Sequence, residues 1–275
     1  MTIRVPNTLT ADNSWKYEVS IRLLPDGLSF SGYIPFEKDS FFIETILFDP
    51  DLSMGQSLKN MFFNNPCFSY TYKSLYVICV SGKYTLAPDS VFSEKDKELL
   101  FSFCHQEDES LKILIQPLKA LNSSLLFGID KGSYEFLVRS LAKPLFIHSL
   151  SSMLILWQKK SLTCYPKQMY IVVHAHTMDA LCLERGELLF VNSFDYETDK
   201  DIIYYIMYIC RQLGFNQLED CLSFCGDKAI CRSVMSVIGK YVRQSDYLRP
   251  KIKDYLVPVD QDFDMDIVAL MECGL

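Results

Sequence analysis

Two histidines separated by a single residue are the side chains best suited to chemistry in this sequence. His174 and His176 follow an apolar run, and residues two apart on a β-strand point to the same face, as paired imidazole ligands of a metal ion do. Asp179 or Asp195 could approach them, but the spacing identifies no third ligand. We therefore predict no metal site, with one imidazole exposed and the other packed at a strand end.

A second stretch with suggestive spacing carries aspartates at alternate positions, namely Asp260, Asp262, Asp264 and Asp266. This pattern resembles the start of an EF-hand calcium loop, which requires Gly at its sixth position and Glu at its twelfth. Met265 and Met271 occupy those positions, so the turn residue and the bidentate ligand are both missing. A solvated acidic loop, with one aspartate capping a terminal helix, explains the pattern better than calcium binding.

The signatures of common enzymes do not occur in the chain. It contains no G-x-x-x-x-G-K-[ST] phosphate-binding loop, no G-x-S-x-G nucleophile elbow and no H-E-x-x-H zinc motif. Ten cysteines are present without a C-x-x-C pair, and nothing local joins a thiol to a base. We predict reduced, buried thiols, and a nucleophilic enzyme has no support.

Composition excludes two further classes of function. A net charge of −7 offers no basic face with which to displace the counterions of a nucleic acid, so nucleic acid is not an expected partner. The most apolar window, residues 145–157, contains His148 and several serines and is too short and too polar to span a bilayer. Residues 1–10 lack the profile of a signal peptide. We predict a cytoplasmic protein without membrane insertion.

The elements that must position His174 and His176 lie in the second half of the chain. Their predicted order is βββαβα, at 169–173, 178–184, 188–194, 198–213, 221–225 and 226–242. Thr198 and Asp201 have the spacing of a capping box, and Gly214 suits a left-handed helix stop. The middle of this helix, 202–210, is apolar almost all round, so we expect it to be covered on more than one side, with its tyrosines in the core.

The first half repeats this order. Strands, a capped helix and further strands are predicted at 15–24, 28–35, 40–48, 53–63, 72–80 and 84–86, with Pro25-Asp26-Gly27 as the first hairpin turn. An insertion follows, with a short helix from Pro88-Asp89, a helix capped by Ser93, strands at 111–116, 125–130 and 144–148, and helices at 131–141 and 151–160. We place the domain boundary after Cys164, which gives domains 1–164 and 165–275. The fold class is α/β with mixed sheets, built from duplicated units.

Several segments carry a family resemblance: Tyr84-Thr-Leu-Ala-Pro88, Val91-Phe92, Leu189-Phe-Val-Asn-Ser-Phe194, Asp201 and Tyr204. With them the chain resembles an uncharacterised bacterial family that has the actin-like ATPase fold. Two tandem βββαβα units, the first with a larger insertion, are similar to the paired ribonuclease-H-like domains of that fold. The layout also resembles the pilus-assembly and secretion members of the group, which act as cytoplasmic scaffolds.

The resemblance implies a nucleotide site in a cleft between the two units, where the first turn of each unit cradles phosphates with Asp-x-Gly followed by Ser or Thr. The first turn of this chain offers Asp26 and Gly27 side by side, without a hydroxyl residue next. The second offers His174, His176 and Thr177, of which only Thr177 fits. An imidazole at His176 takes space that a phosphate needs, and the nitrogen of His174 suits Mg²⁺ poorly.

The adenosine-binding turn that the resemblance implies carries two glycines between a strand and a helix. Gly226 matches this pattern, but Asp227 replaces the second glycine. An aspartate there caps the helix and adds negative charge where an anion would meet the positive end of the helix dipole. These departures argue against ATP and Mg²⁺ as cofactors and against catalysis.

The sequence therefore predicts a non-catalytic protein of actin-like fold that acts as a scaffold by binding another protein. The bound protein could be a second copy of this chain, which would form a homodimer. The alternative is a protein that binds a nucleotide or phosphometabolite in a degenerate cleft. A metal site at His174 and His176 is a weaker third interpretation.

Overall fold

The computed structural model of this chain describes residues 2–250, 252, 256 and 263–273. Asp260 and Asp262 of the acidic run therefore lie outside the described residues. The chain divides into two compact units. Unit 1 comprises Met1–Leu118, Asn122–Ser151 and Ile252–Gln261, and unit 2 comprises Lys119–Leu121, Ser152–Lys251 and Asp262–Leu275.

The described part of unit 1 contains a five-stranded sheet and a smaller three-stranded sheet. Its elements are β1 (Glu18–Leu24), β2 (Gly27–Tyr33), β3 (Phe42–Leu47), α1 (Met54–Asn64), β4 (Ser74–Cys79), β5 (Tyr84–Pro88), α2 (Lys97–Cys104), β6 (Leu111–Leu118), β7 (Ser123–Asp130), α3 (Lys131–Ser140) and β8 (Leu145–His148). The helix α4 (Ser149–Ser161) follows β8 and continues into unit 2.

Unit 2 contains a second five-stranded sheet. Its elements after α4 are β9 (Gln168–Val173), β10 (Thr177–Glu184), β11 (Glu187–Asp195), α5 (Asp199–Gln212), β12 (Cys221–Gly226), α6 (Lys228–Ile238), β13 (Gln244–Tyr247) and α7 (Met265–Cys273).

The two five-stranded sheets share their strand order and strand directions. The orders are β3-β2-β1-β4-β8 in unit 1 and β11-β10-β9-β12-β13 in unit 2. In each sheet the first three strands along the chain form antiparallel pairs, and the last two strands join in parallel. The turn between β10 and β11 uses Arg185 and Gly186, whose φ angles of 50° and 83° are the positive values that a type I′ hairpin requires.

The sheet of unit 2 is covered on both faces because alternate residues of its strands are apolar on each side. One face packs against α5 and α6, where Ile171, Phe224 and Ile206 are fully buried. On the other face Trp157 of α4 is fully buried and stacks on Tyr170 of β9, with ring centroids 4.4 Å apart. Residues of β9, β10 and β12 thus lie between two helical layers.

Several local signals behave as predicted. The Ser53 hydroxyl accepts from the Gln56 amide at 3.3 Å, and the Gln56 side chain accepts from the Ser53 amide at 3.1 Å, which completes the capping box of α1. Gly214 has a φ of +61° after the last turn of α5. At the start of α5 the carboxylate of Asp201 accepts from the amide and the hydroxyl of Thr198, at 2.8 and 3.0 Å.

Other predicted elements differ from the structure. Residues 14–16 form a single 3-10 turn, so the first strand begins at Glu18 and Trp15 is exposed. Pro88 ends β5 and starts no helix. Ser93 makes no capping hydrogen bond, and α2 begins only at Lys97, after a 3-10 turn. At Pro88 the cause is visible, since this residue pairs with Ser123 of β7 and so stays extended.

The prediction that the tyrosines of α5 lie in the core holds for Tyr205, which packs against the core of unit 2, but it is wrong for the other two. Tyr204 is 64% exposed and Tyr208 is 51% exposed, and their rings stack with centroids 6.1 Å apart. The buried stripe of the helix consists of Ile202, Ile206, Ile209 and Cys210, which recur at helical spacing. One face of α5 is therefore covered, and the tyrosine face is accessible.

All ten cysteines are free, and they differ in exposure. Six are buried, three are intermediate, and Cys104 at the end of α2 is exposed. Burial raises the pKa of Cys67 to about 11 and that of Cys79 to about 12. These thiols therefore stay protonated near neutral pH.

Candidate functional site

The first predicted phosphate-contacting turn lies in unit 1, between β1 and β2. Asp26 is exposed, and its carbonyl accepts from the Phe48 amide at 2.7 Å. Gly27 is buried, and a Cβ atom built there would lie 2.2 Å from the carbonyl oxygen of Ile46. The close approach of β3 thus explains the glycine without a ligand.

The second predicted turn lies in unit 2, between β9 and β10. The amide of His174 donates to the carbonyl of Thr177 at 2.9 Å and closes the turn. The hydroxyl of Tyr196 donates to the carbonyls of His174 and Ala175, and the amide of Tyr196 donates to the carbonyl of His176 at 3.1 Å. The backbone acceptors of this turn are therefore satisfied by its own residues and by the residue that follows β11.

The two histidines of this turn have different surroundings, as predicted. His176 is exposed. His174 packs against Asp179 of β10, with its Nε2 atom 3.0 Å from the Oδ2 atom of Asp179 and with 22% of its side chain exposed. Within the described ranges no group of three or more His, Cys, Asp or Glu side chains is arranged to hold a metal ion.

Asp179 is a buried carboxylate in the middle of the sheet. Its side chain is only 6% exposed, and its Oδ1 atom has no hydrogen-bond partner among the described residues. It lies beside Val172 of β9 and Ser193 of β11, and Cys225 of β12 is next in the same row. The bond to His174 is thus the contact that compensates for burial of this carboxylate.

The third predicted contact point, Gly226-Asp227, joins β12 to α6. Gly226 has a φ of +98°, and a Cβ atom there would lie 2.0 Å from the carbonyl oxygen of Val173. The Oδ1 atom of Asp227 accepts from the amides of Ala229 and Ile230, at 2.9 and 3.0 Å. The Asp227 side chain therefore occupies the amides that open α6, as the sequence predicts for a helix cap.

Tyr196 contacts the turn between β9 and β10, and the sequence does not reveal this role. Its burial, together with the negative charges of Asp227 and Asp199, raises its pKa, so its hydroxyl remains protonated and can donate at neutral pH. Tyr196 follows β11, about twenty residues after the carbonyls that it contacts, and no motif links them. Asp227 and Asp199 therefore lie close enough to Tyr196 for their charges to act on its hydroxyl.

We expect Asp227→Ala to lower the free energy of unfolding by about 1 kcal/mol, because two amides of α6 lose their acceptor. Asp227→Asn keeps an acceptor oxygen at the same position and should cost less. Urea unfolding of the two variants measures the difference. An alanine variant as stable as the wild type would show that the cap does not contribute.

Comparison with known proteins identifies the family. A family model described as "Protein of unknown function (DUF3822)" matches residues 6–245. The chain belongs to this family. A crystal structure of a Bacteroides thetaiotaomicron VPI-5482 protein with an actin-like ATPase fold and unknown function is similar to it with a TM-score of 0.85 and 31% identity, covering 98% of this chain and 100% of that one. The resemblance and the α/β class with mixed sheets are confirmed.

A second solved structure shares only the fold with this DUF3822 protein. The PilM–PilN type IV pilus biogenesis complex is similar with a TM-score of 0.57 and 9% identity, covering 92% of this chain and 97% of that one. No curated protein matches the chain. No helix in the part of the chain that the structure describes is long and apolar enough to cross a membrane.

Proposed function

We propose that this DUF3822 protein is a non-catalytic, cytoplasmic protein of actin-like fold, with duplicated units, that acts as a scaffold by binding another protein. The observation that carries the proposal is the hydrogen bonding at the turn between β9 and β10 and at the start of α6. The amide of His174 donates to the carbonyl of Thr177, and the amide of Asp227 donates to the carbonyl of Val173, each at 2.9 Å. His174 is also bonded to Asp179, and Asp227 occupies the first amides of α6. These groups serve the fold, so they are not available as a phosphate cradle.

Electrostatics support the same conclusion. A phosphate at a helix N-terminus is stabilised by free amides and by the positive end of the helix dipole. At α6 the carboxylate of Asp227 already occupies that position, and the charges of Asp227 and Asp199 reach the hydroxyl of Tyr196. An incoming phosphate would meet like charge in place of donors, which lowers its affinity.

The exposed tyrosines support a role in binding a protein. Tyr204 and Tyr208 stand side by side on α5, and Tyr205 stacks on Phe194 of β11 with ring centroids 4.5 Å apart. Tyrosine is enriched where proteins contact each other because it combines apolar area with a hydroxyl that tolerates water. The PilM–PilN complex is an assembly formed by a protein with this fold.

Isothermal titration with Mg-ATP and Mg-ADP tests the proposal. We expect no binding heat up to about 1 mM nucleotide, a limit that corresponds to roughly −4 kcal/mol. A phosphate-release assay on the same protein should stay at the level of buffer.

Micromolar binding with slow phosphate release would contradict this proposal and support the alternative, a nucleotide- or phosphometabolite-binding protein. The His176→Ala variant serves as the control for location. If binding appears and this exposed side chain takes part in it, the variant changes the affinity. If the heat comes from a site elsewhere, the affinity stays the same.

A further inference from the structure

The helix α2 in the insertion of unit 1 exposes apolar side chains on the side that faces away from its sheet. Leu99 is 72% exposed and Phe103, one turn later, is 88% exposed, while Val91 in the preceding loop is 81% exposed. The opposite side of the helix is buried, since Phe101 is 5% exposed and packs with Leu126 of β7. The helix is therefore apolar on two sides, and only one of them contributes to the fold.

This helix is held firmly at its end. The ring of Phe101 packs on that of His105 with centroids 4.6 Å apart. The Nε2 atom of His105 lies 2.9 Å from the carbonyl oxygen of Tyr84 and 3.1 Å from the hydroxyl of Thr85, both in β5. The outer side of α2 is thus presented by a fixed element, which reduces the entropy that binding would cost.

The segment that surrounds these apolar side chains is strongly acidic. Residues 89–109 contain seven carboxylates and two lysines, a net charge of −5 in a chain whose net charge is −7. All seven carboxylates are exposed. Lys97 lies 3.8 Å from Glu98. From outside the segment, Lys83 lies 3.7 Å from Asp108, and Lys131 donates to the carbonyl of Glu109. These lysines compensate only part of the negative charge.

We propose that Val91, Leu99 and Phe103, together with the carboxylates of residues 89–109, form a docking surface for a basic amphipathic segment of a partner protein. We call it the α2 surface. Apolar anchors of the partner would cover Leu99 and Phe103, and its Lys or Arg residues would face the carboxylates. This inference rests on the proposed function, because it names the chemistry of the bound protein.

Charge decides against two other occupants. A second copy docked through the same surface would bring the net charge of −5 of its residues 89–109 against an identical charge, and like charges across an interface are unfavourable. An anionic membrane surface would be repelled for the same reason. A cationic segment would instead be attracted to these carboxylates.

Fluorescence anisotropy of a labelled helical peptide tests the α2 surface on the full chain. The probe is a short peptide with leucines at helical spacing and lysines at all remaining positions. Its matched control carries glutamates in place of the lysines. We expect the lysine peptide to bind and the glutamate peptide not to bind. The affinity of the lysine peptide should fall several-fold as the salt concentration rises from about 0.05 to about 0.3 M, since exposed charges are screened.

Matched variants locate the binding. Phe103→Ala should weaken the lysine peptide by about tenfold, as truncation of an interface anchor does. Phe63→Ala removes an 89% exposed side chain at the end of α1 and should change nothing. Both changes are at the surface, and their unfolding curves should match that of the wild type.

Lysine-peptide binding that Phe103→Ala leaves unchanged would overturn the α2 surface without touching the proposed function. A dimer in analytical ultracentrifugation that Phe103→Ala dissociates would also overturn it, because the occupant would then be a second copy. Nucleotide binding, measured separately, contradicts the proposed function alone.

Discussion

Gly226→Ala is expected to lower the free energy of unfolding by about 3 kcal/mol or more. The new Cβ atom would lie 2.0 Å from the carbonyl oxygen of Val173, and the φ of +98° is one that L side chains rarely adopt. The backbone cannot yield easily, since the amide of Asp227 donates to the same carbonyl at 2.9 Å. A strained φ costs about 1–3 kcal/mol and overpacking a similar amount, so the two effects together give this magnitude.

Gly214→Ala is the matched control for this prediction. Gly214 also has a positive φ, +61°, but a Cβ atom there would meet nothing within 4 Å. Only the left-handed conformation is then penalised, at about 1–2 kcal/mol. Urea unfolding of both variants separates the steric contribution from the conformational one. Equal losses in the two variants would show that the strands β9 and β12 can part to admit a methyl group.

Trp157→Ala is expected to cost about 3–5 kcal/mol, the range for deleting a large aromatic side chain from a core. Trp157 is fully buried and stacks on Tyr170 at an interplanar angle of 11°. Its removal leaves a cavity between α4 and the sheet of unit 2. Thermal or urea unfolding followed by circular dichroism measures the loss.

Trp157→Phe distinguishes packing from polarity at the same position. Among the described residues the Nε1 atom of Trp157 has no hydrogen-bond partner, so phenylalanine removes an unsatisfied donor while keeping much of the ring. We expect a loss clearly smaller than that of the alanine variant. Trp15→Ala, at a site that is 61% exposed, should change stability little. A Phe variant as unstable as the Ala variant would mean that the indole is required for reasons other than burial.

Elements whose signals are local could be predicted from the sequence. The capping box of Ser53 and Gln56, the positive φ at Gly214 and the hairpin at Arg185-Gly186 depend on neighbouring residues alone. Most of the order of strands and helices followed from such signals repeated in both halves of the chain, but β13 was not predicted and the helix predicted at Pro88 does not form.

The reasons for the glycines at the candidate site could not be predicted. The resemblance assigns Gly27 and Gly226 to contacts with an anion. In the structure each glycine is needed because a carbonyl on another strand, of Ile46 or Val173, lies too close for a Cβ atom. The contacts of Tyr196 with the turn at His174 are likewise distant in sequence. Which strand lies beside which is decided by packing of the whole unit, and a single sequence contains no direct record of that choice.

The amphipathic nature of α5 was obscured by its composition. Tyr204 and Tyr208 count as apolar by type, although a phenol can leave its hydroxyl in water. The isoleucines that form the buried stripe recur at helical spacing, and the tyrosines fall between them.

The uneven exposure of the thiols provides a natural reporter. Cys104 is the exposed cysteine and directly follows Phe103, whereas burial raises the pKa of Cys231 to about 12 and of Cys210 to about 11. A maleimide dye at neutral pH should therefore attach first at Cys104, because a thiol must be accessible and deprotonated to be alkylated. The wild-type protein thus carries a labelling position next to Phe103. A dye at Cys104 should change its fluorescence when another molecule binds there.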